Sequence, residues 1–121
     1  MASTKAPEIQ IFKADAAISK GFAVKFGTDD THVAKGSVAT GLLIGIAQSA
    51  PTAAEDLVEV AIGGGAKGYA GGTITRGDLV TSDSAGKLVT TTTPGDRIIG
   101  IAMQSAVVND LFDVLVKQSL I

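Results

Sequence analysis

Two copies of one pattern lie in tandem along this chain of 121 residues, and no other feature limits its fold so strongly. Ile18-Ser19-Lys20-Gly21, followed by Val24, returns as Ile74-Thr75-Arg76-Gly77, followed by Val80. Ile44-Gly45-Ile46-Ala47-Gln48-Ser49-Ala50 returns as Ile99-Gly100-Ile101-Ala102 and, after an extra Met103, Gln104-Ser105-Ala106. Asp56-Leu57-Val58-Glu59-Val60-Ala61-Ile62 returns as Asp110-Leu111-Phe112-Asp113-Val114-Leu115-Val116. The order is kept and the offset stays near about 55 residues, which is the signature of a duplicated unit building one pseudo-symmetric domain. Repeat one therefore covers 18–62 and repeat two 74–116 within a single domain, 15–121, preceded by an N-terminal arm, 1–14.

Each copy breaks into short aliphatic and β-branched runs separated by Gly and Asp turns. The expected strands cover 22–26, 42–48 and 57–62 in the first copy, and 79–82, 88–91, 98–104 and 111–117 in the second. In the third block Val58, Val60 and Ile62 share one face opposite Leu57, Glu59 and Ala61; Phe112, Val114 and Val116 repeat this opposite Leu111, Asp113 and Leu115. Leu42, Ile44 and Ile46 against Leu43, Gly45 and Ala47 leave both faces apolar, so this strand is to be covered on both sides. Helix has one foothold, a single turn at 50–56 with Thr52 as cap. The expected fold is all-β: a small sandwich or barrel of two fused repeats with an extended arm.

In the arm, Glu8-Ile9-Gln10-Ile11-Phe12-Lys13 reads as a strand with Ile9 and Ile11 on one face, or as a frayed tail. Lying outside the repeat, Ile9, Ile11 and Phe12 are the candidate contacts to a partner chain or a neighbouring subunit, since a short apolar strand can extend another chain's sheet edge. Mean hydropathy is +0.36 while aromatics make up 4%, so small aliphatic side chains exceed what thin strands bury and self-association is expected.

The same composition narrows function. A net charge of −2 and a pI near 5.2 lack the clustered cations of a nucleic-acid surface. Without cysteine there is no disulfide, thiolate nucleophile or cysteine-held metal. Apolar runs such as Leu42 to Ala47 are too short to span a bilayer, and 1–8 lacks a signal-peptide core, which reads as a soluble, unsecreted chain.

Four local motifs suggest chemistry and fail on their context. Gly63-Gly64-Gly65-Ala66-Lys67-Gly68 fits G-x-G-x-x-G, with Asp83 further on, but 69–74 cannot make the helix whose N-terminus would hold a pyrophosphate; a flexible turn is expected instead. Arg76-Gly77-Asp78 spells the integrin tripeptide, yet its first-copy counterpart is Lys20-Gly21-Phe22, so the shared content is a turn. Ser82 to Leu88 has the Gly-Lys of a phosphate loop without its other residues and reads as a hairpin turn. His32, the only histidine, stands near Asp29 and Asp30 without a catalytic partner and reads as a solvated loop residue. No enzyme, cofactor or metal site is expected.

Ile74 to Thr81 with its Arg76-Gly77-Asp78 turn, Asp83, Ala85-Gly86-Lys87-Leu88-Val89, Ile99-Gly100-Ile101-Ala102 and the closing run 111–116 together resemble the capsid cement, or head decoration, proteins of tailed bacteriophages, over about 18–116. The resemblance implies a non-enzymatic β-rich protein, commonly a trimer, that sits on the exterior of the assembled virion capsid after synthesis in the host cytoplasm. It implies a bracing role between neighbouring major capsid protein subunits and an N-terminal arm that becomes ordered on the shell, while charge and short apolar runs leave neither nucleic acid nor membrane as an expected partner. The first copy departs from the pattern at Phe22-Ala23-Val24-Lys25-Phe26 and in the excursion through Asp29, His32 and Gly36. An oligomeric β-module of a virion or cell surface that binds a glycan or protein receptor is the alternative.

Overall fold

Alternating apolar and polar residues become strands along about half of the described chain, residues 7–120 of this computed structural model. In order these are β1 (Glu8–Ala14), β2 (Ala23–Phe26), β3 (His32–Lys35), β4 (Leu43–Ala47), β5 (Leu57–Tyr69), β6 (Leu79–Ser82), β7 (Leu88–Thr90), β8 (Arg97–Ala102) and β9 (Leu111–Leu120). No helix occurs among the described residues.

Hydrogen bonding follows the order β1-β3-β2-β4-β5-β9-β8-β6-β7, and β1 also pairs with β5, so the first five strands close into a barrel. β5 then runs on: Leu57 to Gly63 pair with β1, and Gly64 to Tyr69 pair with β9. An isolated parallel bridge from Ala70 to Leu88 brings β7 back beside the end of β5. The registers in the two halves run alongside each other. Ala23 opposes Ile46 while Leu79 opposes Ile101, Val24 opposes Lys35 while Val80 opposes Thr90, and Phe12 opposes Val58 while Gly68 opposes Phe112.

Two apolar clusters fill the molecule. Ala14, Ile18, Val24, Val33, Ala47, Val58 and Val60 fill the barrel, with Phe12 and Ile44 packed against them. A second cluster gathers Ile74, Val80, Leu88, Ile99, Phe112 and Val114 from the second half together with Leu43, Ile46 and Ala61 from the outer wall of the barrel. β4 is thus covered on both sides within one chain. The split differs from plain alternation, because a register shift against β2 places Ile44 with Ala47 and Leu43 with Ile46.

The structure corrects several expectations. Glu8–Ala14 is no arm apart from the domain: from Ile9 to Lys13 it pairs residue for residue with β5 and closes the barrel, because the apolar face of Phe12 and Ala14 fills a core the repeat leaves open. Residues 1–6 of the expected arm lie outside the described residues. The glycine run is strand, not flexible turn: Gly68 lies so close to Leu88 and Val114 that a side chain there would collide. At 50–56 no helical turn forms; Asp56 Oδ2 accepts from Thr52 N–H at 3.2 Å and Ala53 N–H at 3.1 Å, and Glu55 takes a left-handed φ of 72°. Met103, the extra residue of the second copy, falls in the turn after β8, where its N–H donates to Asp113 O, and the register shift of β8 on β9 lies between Ile98 and Gly100.

Candidate functional site

Strand geometry sends alternate side chains of β1 to opposite faces. Phe12 points inward and packs on the Val58 cluster. Ile9 and Ile11 point outward, 39% and 59% exposed. Leu57, which faces Lys13 across the ladder, is 65% exposed and extends the same outer strip. Ile11, Lys13, Thr31 and Leu57 line a shallow groove of about 360 Å³. Of the three residues singled out from the sequence, two thus share an exposed apolar face and the third belongs to the core. Leu57 was missed, although its counterpart Leu111 is also exposed; only the register of β1 on β5 reveals that it adjoins Ile11.

His32 begins β3 rather than floating in a loop. Its side chain is 11% exposed, with Nδ1 2.7 Å from Asp29 Oδ1 and Nε2 2.7 Å from Glu55 Oε2. A neutral imidazole has one N–H donor, so two carboxylates at this distance select the doubly protonated ring. The hydrogen bonds to Asp29 and then Glu55 raise the His32 pKa from 6.5, and the same contact, with Thr31 N–H, holds Asp29 at about 2. This ties the 29–32 turn to the 51–56 turn, and Glu55 N–H in turn donates to Ala14 O at the end of β1.

The remaining motifs are accounted for by folding. Asp78 of the Arg-Gly-Asp turn accepts from Thr75 N–H at 2.9 Å and from Thr90 Oγ1 at 2.8 Å, with Gly77 at a φ of 97°. Asp83 Oδ1 accepts from Ala85 N–H at 2.8 Å and Lys87 N–H at 2.9 Å, shaping the β6–β7 hairpin. Lys67 stands opposite Asp113 and pairs with it at 2.6 Å, both partly solvated, so the pair contributes only about 0–1 kcal/mol. Among the described residues no group of three or more His, Asp or Glu is placed to hold a metal ion, and no helix is long and apolar enough to cross a membrane.

No curated protein matches this chain. Among solved structures it is similar to the N base of the head fiber gp8.5 of bacteriophage phi29, with 16% identity, a TM-score of 0.75, and 96% of this chain and 98% of that chain covered. At that identity the likeness speaks for the fold. The model of the phage cement protein family matches residues 3–118, which takes in the closing strand β1, both halves and the strand β5 that joins them. A match across all of these elements, on a β-fold shared with a phage head component, places the chain in the phage cement protein family.

Proposed function

We propose that this chain is a non-enzymatic cement protein that binds the outside of an assembled phage head as a homotrimer and braces neighbouring major capsid subunits. The family match over 3–118 carries the reading. The outer strip of Ile9, Ile11 and Leu57 supports it, being an apolar surface on a barrel wall whose inner face is already filled. We read the two halves as fused copies of one five-strand unit, supported by their parallel registers and by the left-handed residues Glu55 and Asn109, which fall at matched turns. Several modest contacts per trimer raise the effective concentration of each later one, so attachment needs no single strong site.

The test is co-sedimentation with mature capsids, with light scattering for the trimer. Wild type sediments with shells, and Ile11→Asp binds at least about tenfold more weakly at unchanged melting temperature, because the charge must be desolvated on docking. Absence of wild-type co-sedimentation refutes the reading.

A further inference from the structure

Two turns of this protein share one backbone and differ in charge. In the first, Phe22 N–H donates to Ser19 O, Gly21 N–H to Ala47 O, and Ala47 N–H to Phe22 O. In the second, Asp78 N–H donates to Thr75 O, Gly77 N–H to Ala102 O, and Ala102 N–H to Asp78 O. Gly21 and Gly77 both take left-handed φ, 86° and 97°. The neighbouring strand matches too, with Lys35 opposite Val24 and Thr90 opposite Val80.

The second turn is completed by its own carboxylate, Asp78, bonded to Thr75 N–H and the Thr90 hydroxyl. At the first turn those three places hold Phe22, Ser19 and Lys35. The carboxylate is gone, an ammonium replaces the hydroxyl, and Ser19 N–H has no acceptor among the described residues. Lys20 stands where the second copy has Arg76. A groove of about 550 Å³ opens here, with Ser19, Lys20 and Lys35 on its walls, Ile18 and Phe22 among its apolar lining, and no acid. Neither lysine is engaged in an ion pair among the described residues.

The geometry points to a carboxylate-binding groove that takes an aspartate or glutamate side chain from an extended segment of a partner protein. The incoming carboxylate takes the place Asp78 fills in the second turn, on Ser19 N–H and between Lys20 and Lys35, while an adjoining apolar side chain of the segment lies against Ile18 and Phe22. The partner is the major capsid subunit, and for that identity alone the inference rests on the capsid-attachment reading.

The experiment follows backbone amides by NMR while acetyl-Val-Asp-Val-amide, or its Asn counterpart, is added to the full chain. The Ser19 and Lys20 amides shift saturably with the Asp peptide only, and the response disappears in Lys20→Glu/Lys35→Glu. A Ser19 amide that stays still, or that moves equally with the Asn peptide, overturns the site. Both lysines are exposed and the melting curve confirms the fold; Lys35→Thr, which restores the second-half residue, weakens the response and serves if the double variant does not fold. On capsids the double variant loses at least about tenfold in binding. Undiminished capsid binding, or loss of self-association in its place, overturns the capsid subunit as partner. Wild type that binds the Asp peptide but fails to sediment with capsids refutes the capsid reading and leaves the groove standing.

Discussion

Gly100→Ala is expected to be among the most damaging small substitutions in this protein. A Cβ at Gly100 would stand well inside contact with Leu115 O, and 3.0 Å from Val114 Cγ1; at Gly45 it would meet Ala61 O in the same way. The obstacle is the backbone carbonyl of a paired strand, so relief means parting β8 from β9 around Gly100↔Val116 and Ile101↔Leu115. Overpacking costs about 1–3 kcal/mol, and two weakened ladder hydrogen bonds cost about 0.5–1.5 kcal/mol each. The stiffer unfolded chain returns about 0.4–1 kcal/mol. The net loss is about 1–6 kcal/mol against a total stability of about 5–15 kcal/mol, or a melting temperature lower by roughly 4–24 °C. Gly72→Ala is the control, because nothing lies within 4 Å of its Cβ position; it should be neutral or stabilising. Urea unfolding followed by circular dichroism measures both variants beside wild type. A Gly100→Ala protein within about 0.5 kcal/mol of wild type, a difference ordinary for surface changes, would refute the claim that the glycine is there to let the strands approach.

Removing residues 1–14 takes out β1 and opens the barrel, so the truncated chain should lose its cooperative melt; melting like that of the full chain would refute the closing role of β1. Because the His32 pKa is raised, its ion pairs contribute fully below the unfolded value of 6.5 and are lost as pH rises through the folded value, so wild type should lose melting temperature on that climb and His32→Gln should not. The Asp29 share, with its carboxyl held at about 2, should persist in mild acid and disappear only as pH falls from 3.8 through that value. Asp83→Ala leaves the Ala85 and Lys87 amides without their acceptor and should cost about 1–3 kcal/mol, with faster hydrogen exchange at those two amides.

Much of the fold was legible because period-two patterning and glycine or aspartate punctuation are local. Leu79–Ser82 was read to the residue, and the inward set Phe112, Val114 and Val116 is buried as its alternation implied. What stayed hidden was non-local. His32–Lys35 carries only one strong β-former, Val33, and is held as a strand by β1 and β2 on either side, so its own residues gave no signal. The role of Glu8–Ala14 depended on a vacancy in the barrel that only the pairing of β5 exposes. The glycine run looked like a loop because glycine weakens strands in isolation; here close approach by Leu88, Val114 and Phe112 requires it. For the candidate surface, alternation separated Ile9 and Ile11 from Phe12, while the adjacency of Leu57 to Ile11 and the unfilled groove at Ser19 arise from register.

β5 passes as one strand from the barrel into the second half, bent at the left-handed Gly64 where its pairing changes from β1 to β9, and this decides how the molecule answers a pull. At 13 residues it spans about 40 Å, clamped by β1 and β4 along one stretch and by β9 along the next. No loop lies between the two clamped stretches to act as a hinge. Tension entering through the barrel wall therefore reaches β9 as shear along the strand, loading the ladder bonds together rather than peeling them one by one. Both halves share the strain until both fail, so rupture under force should come as a single event.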